Sequence, residues 1–139
     1  MTDAKFEKVS HSDARLYGPE KLILCGFTAE TQPKFEAVLA MAGLKAVPLI
    51  WALGNQADTR LSDLAALPSG SGRGESSALP RAIIVSGITE KQLHTLMGVC
   101  RKSGMQPALW ATLTATSENW LLKELLAELS AEREALKNR

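Results

Sequence analysis

Two short stretches set a glycine and a threonine where α/β proteins commonly meet their ligands. In KLILCGFT and RAIIVSGIT an apolar run ends in a glycine (Gly26, Gly87), followed two residues later by a threonine (Thr28, Thr89) and then a polar, periodic segment. A strand–turn–helix junction of this kind turns backbone N–H groups and hydroxyls toward a small anion. A third stretch, ATLTATSENW, alternates Thr112, Thr114 and Thr116, adds Ser117, and sets Trp120 at the first turn of a Leu/Glu-rich helix. Hydroxyls beside an indole face suit a planar or sugar-like ligand, or a partner's side chain. Each feature also has a purely structural use: glycine permits a tight turn, Thr or Ser caps a helix, and Trp packs over a strand end. The ligand-binding set on the chemical reading is Gly26, Thr28, Gly87, Thr89, Thr114, Thr116, Ser117 and Trp120.

Other reactive residue types lack the company their chemistry needs. Neither glycine turn carries the three spaced glycines and later acid of a dinucleotide fingerprint, nor the Gly-Lys-Ser/Thr of a P-loop. A phosphate-accepting receiver site wants carboxylates at strand ends, whereas the first strand ends in Cys25-Gly26-Phe27. His11 and His94 have no neighbours at metal-ligand spacing. Cys25 lies in an apolar run and Cys100 shares a helical stripe with Leu93, Leu96 and Met97, so both read as buried, reduced and inert thiols. Arg73, inside GSGRGES, reads as a solvated loop residue, and Glu124, Glu128 and Glu132 as the wet face of a helix. No catalytic set, metal set or cofactor is expected.

The elements that position these residues follow from periodicity. Four short apolar runs, KLILCGF, KAVPLIWAL, RAIIVSG and PALWATLT, read as strands. Phe35, Val38, Leu39 and Ala42 form one helical stripe that stops at Gly43; Leu93, Leu96, Met97 and Cys100 form another that stops at Gly104. Pro33 places the start of the first of these helices near Thr31, in a turn that needs no amide donor. Thr89 and Gln92 form a capping-box pair at the start of the second. LSDLAAL is a short helix, and Leu122, Leu125, Leu126 and Leu129 mark a longer one whose closing Lys137 and Arg139 suit its negative end. Residues 1–20 read as an N-terminal arm, 21–139 as one domain, and the Gly/Ser-rich 68–80 as a flexible loop. The halves resemble one another: Gly26 to Gly43 and Gly87 to Gly104 are equally spaced, GFT matches GIT, and VPLIWA echoes QPALWA.

Alternating strands and helices predict a parallel, three-layer doubly wound sheet in the order 2-1-3-4. A ferredoxin-like split βαβ sandwich is the alternative. In the doubly wound sheet both glycine turns would flank a single switch-point cleft.

The last third of the chain resembles domain-of-unknown-function family 3783, a bacterial family. The resemblance rests on Thr114, Thr116 and Trp120 after the fourth strand, and on the leucine- and glutamate-rich helix beyond them. Ser117 stands where that family's turn has Asn, and Ser serves the same capping role. The resemblance implies kinship of fold and brings no assigned activity.

With 45% apolar residues and 22% charged, the 139-residue sequence is that of a globular domain. Its net charge of +1 supplies no field to attract nucleic acid or anionic lipid. The amino-terminal residues lack the apolar core of a signal peptide, so the cytoplasm is the expected compartment. The expected function is a non-enzymatic accessory or regulatory module working through a protein partner or homo-oligomerisation; the alternative is a domain binding a small ligand or anion at the strand–helix turns.

Overall fold

The structure, a computed structural model, describes residues 14–137. His11, Arg139 and most of the N-terminal arm therefore lie outside the described residues. Four strands, β1 (Lys21–Cys25), β2 (Leu49–Ala52), β3 (Ala82–Ser86) and β4 (Leu109–Thr112), form one sheet in the order β2-β1-β3-β4. Four α-helices cover it: α1 (Gln32–Met41), α2 (Leu61–Ala65), α3 (Glu90–Lys102) and α4 (Leu122–Lys137). Single 3₁₀ turns at Gly54–Gln56 and Ser117–Asn119 precede α2 and α4.

Strand residues alternate between two cores, as a period of two requires. Leu22, Leu24, Trp51, Ile83 and Val85 pack beneath α1 and α3, against Phe35, Leu39 and Leu96. Ile23, Cys25, Ile50, Ala82 and Ile84 face the other way, against Leu61 and Leu64 of α2 and Leu122, Leu125 and Leu126 of α4. Because both faces are buried, the strands needed no polar alternation, which is why they read as continuous apolar runs. Helices on both faces make three layers, an α/β arrangement and not the one-sided sandwich of the alternative.

Strand order is as predicted, but strand direction differs at one place. β1 pairs with β2, and β3 with β4, in parallel; β1 and β3 are antiparallel, so the sheet is mixed. The cause lies in residues 53–81. At the end of α2 the chain is at the starting end of β1, where Lys21 Nζ donates to the Leu67 carbonyl at 2.7 Å. The Gly/Ser-rich segment then climbs along β2, with Gly70 N donating to Leu49 O and Trp51 N to Ser71 O, each at 2.8 Å. It reaches the far end, where Ser77 N donates to Phe27 O at 3.1 Å, before entering β3. A strand entered from that end must run opposite to β1.

That segment, expected to be flexible, is fastened along its length. The wholly buried Gln32 accepts hydrogen bonds from Gly74 N (2.7 Å) and Arg73 Nη1 (3.3 Å) and donates to Glu75 O (3.0 Å). Arg73, expected to be solvated, forms a two-pronged pair with Glu36 at 3.0 and 2.9 Å, which holds the Glu36 carboxyl below its ordinary range. The 14–20 part of the arm also docks: Leu16 packs on the α1/α3 core and Leu16 N donates to Ile88 O at 2.7 Å.

A constant spacing of 61 positions runs through these contacts. Ile23 faces Ile84 across the β1–β3 pairing, and Arg60 faces Leu121 in an isolated bridge. Leu61 N donates to Trp120 O while Leu122 N donates to Thr59 O, and Leu16 N to Ile88 O while Ser77 N donates to Phe27 O. Each pair of bonds exchanges partners between positions 61 apart, the signature of a local twofold axis normal to the sheet between Ile23 and Ile84.

Candidate functional site

The antiparallel step separates the two glycine turns. Cys25 lies opposite Ala82 and Lys21 opposite Ser86, so Gly26 follows one end of the sheet and Gly87 the other. The single switch-point cleft expected from a parallel sheet does not form. Gly26 and Thr28 stand together at one end; Gly87 and Thr89, with Thr114, Thr116 and Ser117 beyond β4, stand at the opposite end.

Neither glycine turn is an open cradle. Both glycines have positive φ, 77° and 69°. A Cβ at Gly26 would sit 2.4 Å from Leu79 O and 2.7 Å from Arg81 N; at Gly87, 2.5 Å from Glu20 N and 2.6 Å from Gly18 O. Each turn thus packs on the backbone that enters the antiparallel neighbour strand, and glycine is there to let two main chains approach.

The hydroxyls are engaged locally. Thr89 Oγ1 accepts from Gln92 N at 3.0 Å while Gln92 Oε1 accepts from Thr89 N at 2.8 Å, the capping box expected for α3. Thr31 is the N-cap position of α1 with Pro33 just inside, also as expected, and its hydroxyl donates to Thr28 O at 2.9 Å. Ser117 Oγ accepts from Thr114 N (3.0 Å), and Thr114 Oγ1 accepts from Ser117 N (2.9 Å) and donates to Ser117 Oγ (3.1 Å). Thr116 is exposed. Trp120, half-buried, packs on the α2/α4 core, and its carbonyl bonds the first amide of α2. Glu124 caps α4 through the Leu121 amide at 2.8 Å, a role the reading of it as a wet-face residue missed.

The thiols lie on opposite faces of the sheet, Cys25 in the α2/α4 core and Cys100 in the α1/α3 core. Burial pushes them to about 12 and about 11, so neither is a thiolate at neutral pH. His94 is exposed on α3. Among the described residues no cluster of His, Cys, Asp and Glu is placed to hold a metal, and no helix is long and apolar enough to cross a membrane.

Two features that sequence reasoning did not find are concave or unpaired. The first is a groove of about 690 Å³ between α1 and the α3–β4 connection. Phe27, Phe35 and Val38 form its floor, Met41 and Met105 its apolar rim, and Lys34 and Arg81 are the charged residues among the described ones that line it. The Arg81 guanidinium lies 4.2 Å from the centre of the Phe27 ring and its Nε donates to Gly26 O at 3.1 Å. Partial burial lowers its pKa, the reverse of what a carboxylate partner does.

The second is the outer edge of β4. Leu109 N and Leu113 N donate inward, to Arg81 O and Val85 O of the neighbouring strand, both at 2.9 Å. By the alternation of a strand, Trp110 and Thr112 turn their amides outward. On the α3 side this edge is flanked by a hollow of about 360 Å³ between Met97, Met105 and Trp110. On the α4 side a hollow of about 420 Å³ lies between Trp110, Leu129, Glu132, Arg133, Leu136 and Lys137. The opposite edge of the sheet, β2, is covered by the chain's own Gly70–Ser71 through the hydrogen bonds described above.

A family model described as a domain of unknown function (DUF3783) matches residues 81–136, the stretch from the entry of β3 to the last turn of α4. No curated protein and no solved structure matches the chain.

Proposed function

We propose that this chain, whose residues 81–136 match the DUF3783 family model, is a non-enzymatic accessory module that associates with a second copy of itself along the free edge of β4. The observation that carries the reading is the inequality of the two sheet edges. On β2 the Leu49 carbonyl and the Trp51 amide are bonded by residues 70–71, whereas Trp110 and Thr112 of β4 present their outward amides between two hollows. A strand added to such an edge gains main-chain bonds and places alternate side chains in the hollows on either face.

Three features favour a copy of the same chain as the occupant. Antiparallel addition about a twofold is how β1 and β3 already meet, and we read the two halves as copies of one βαβα unit on the strength of the 61-residue spacing. An antiparallel β4–β4 pair brings the α4 helices side by side, so that Leu129 and Leu136, the latter 62% exposed, cover each other. Glu132 on one helix then opposes Arg133 and Lys137 on the other, a self-complementary arrangement of charge.

Sedimentation velocity tests this. The wild-type protein is expected to dimerise at tens of micromolar (about 8 kcal/mol at 1 μM affinity is the scale for a standard interface). Thr112→Pro removes an outward amide and is expected to leave a folded monomer, since edge strands tolerate proline. A wild-type protein monomeric at millimolar concentration, or a Thr112→Pro variant that dimerises normally, overturns the proposal.

A further inference from the structure

We propose that the groove between α1 and the α3–β4 connection is a binding site for a small amphipathic carboxylic acid, with Arg81 and Lys34 taking the carboxylate and the Phe27–Val38–Met41–Met105 surface taking the apolar body. The groove adjoins the β4 edge at Met105, which also lines the hollow on the α3 side of β4, and the inference goes beyond the association reading.

The charge of the lining decides the ligand's head. Among the described residues, two cations and no acid line the groove. Arg81 donates through Nε to the Gly26 carbonyl and lies against the Phe27 ring; no described carboxylate pairs with it. Stacking on an aromatic face and the Nε bond fix the plane of the guanidinium and leave its two terminal nitrogens to bind in a fork, the geometry that suits a carboxylate.

The local twofold supplies a built-in contrast. Glu20 stands 61 positions before Arg81, and Gly87 stands 61 after Gly26. At that end Arg15 Nη1 donates to Gly87 O at 2.8 Å and also pairs with Glu20 at 3.0 Å, so its cation is neutralised within the chain. At the groove end the corresponding carbonyl is served by Arg81, and no compensating acid is present among the described lining residues. One end of the molecule is thus complete in itself, and the other offers an anion its counter-charge.

The walls decide the ligand's body. Phe27, Phe35 and Val38 are buried beneath the groove, while Met41 stands 65% exposed at its rim. Methionine pairs make an adaptable apolar wall, suited to a flexible chain or ring more than to one rigid shape. A volume of about 690 Å³ is in the range of small-molecule sites.

The test is a heteronuclear NMR titration of the whole chain with decanoate, decanol and inorganic phosphate. Decanoate is expected to shift amides of Phe27–Thr31, Met41 and Ser103–Gln106 saturably, and to bind about tenfold more tightly than decanol or phosphate, the scale of one charge-assisted contact. Arg81→Gln should remove that tenfold preference for decanoate over decanol while leaving decanol itself unchanged. If Arg81→Gln does not fold, Lys34→Gln, at an exposed helix position, is expected to shrink the same preference. Equal binding of decanoate and decanol, binding of phosphate as tight as decanoate, shifts confined to another surface, or no saturable shift overturns the site.

Discussion

Replacing Gly26 by alanine asks whether its turn exists for a ligand or for packing. The backbone there has φ +77°, a conformation that costs an L-residue about 1–2 kcal/mol. The added methyl would also stand 2.4 Å from Leu79 O and 2.7 Å from Arg81 N, both main-chain atoms that can yield only if the entry to β3 moves. Overpacking of that kind costs about 1–3 kcal/mol more. Gly43 provides the control: its φ is +79°, yet nothing lies within 4 Å of its would-be Cβ. Gly43→Ala should therefore lose only the conformational part, about 1–2 kcal/mol. Gly26→Ala and Gly87→Ala should each lose about 2–5 kcal/mol in all, more than Gly43→Ala by the overpacking part. Urea unfolding of the three variants measures the difference. Equal losses for Gly26→Ala and Gly43→Ala would mean that the close main-chain approach carries no energy, and the packing account of the glycine turns would be wrong.

Both cysteines should be silent to a thiol reagent in the native protein at pH 8 and react fully once it is unfolded, because burial holds them near 11 and 12. Gln32→Leu should cost about 1–3 kcal/mol by leaving Gly74 N and Glu75 O without their partner, and hydrogen exchange should quicken at Gly70 and Trp51, where residues 70–71 cover β2. The Glu36 carboxyl is depressed by Arg73, so its contribution is present above the unfolded-state value and is lost as pH falls through the lower folded one; wild type minus Arg73→Ala, compared by urea unfolding at pH 7 and pH 3, should narrow on acidification. Since both side chains are about 40% exposed, solvent screening should keep that difference small. Leu122→Ala, at a wholly buried position, should cost about 2–5 kcal/mol by thermal or urea unfolding.

Features governed by neighbours in sequence were legible without coordinates. The four strands, the α1 start beside Pro33, the Thr89–Gln92 box and the glycine stops at 43 and 104 depend on dihedral preference, side-chain period and amides a few residues away. Strand order was legible as well, because the apolar runs demanded cover on both faces. The direction of β3 was not. It depends on residues 68–77 returning along β2, and that return is held by Gln32, Ser71 and Arg73, whose partners lie some 20 to 40 positions away. Polar residues of such a segment look alike in sequence whether solvated or latched, since burial of one amide side chain leaves no periodic trace. The reversal then dissolved one expected cleft and gathered Arg81, Phe27 and Met105 into another, from strands and helices whose own patterns contain no hint of meeting.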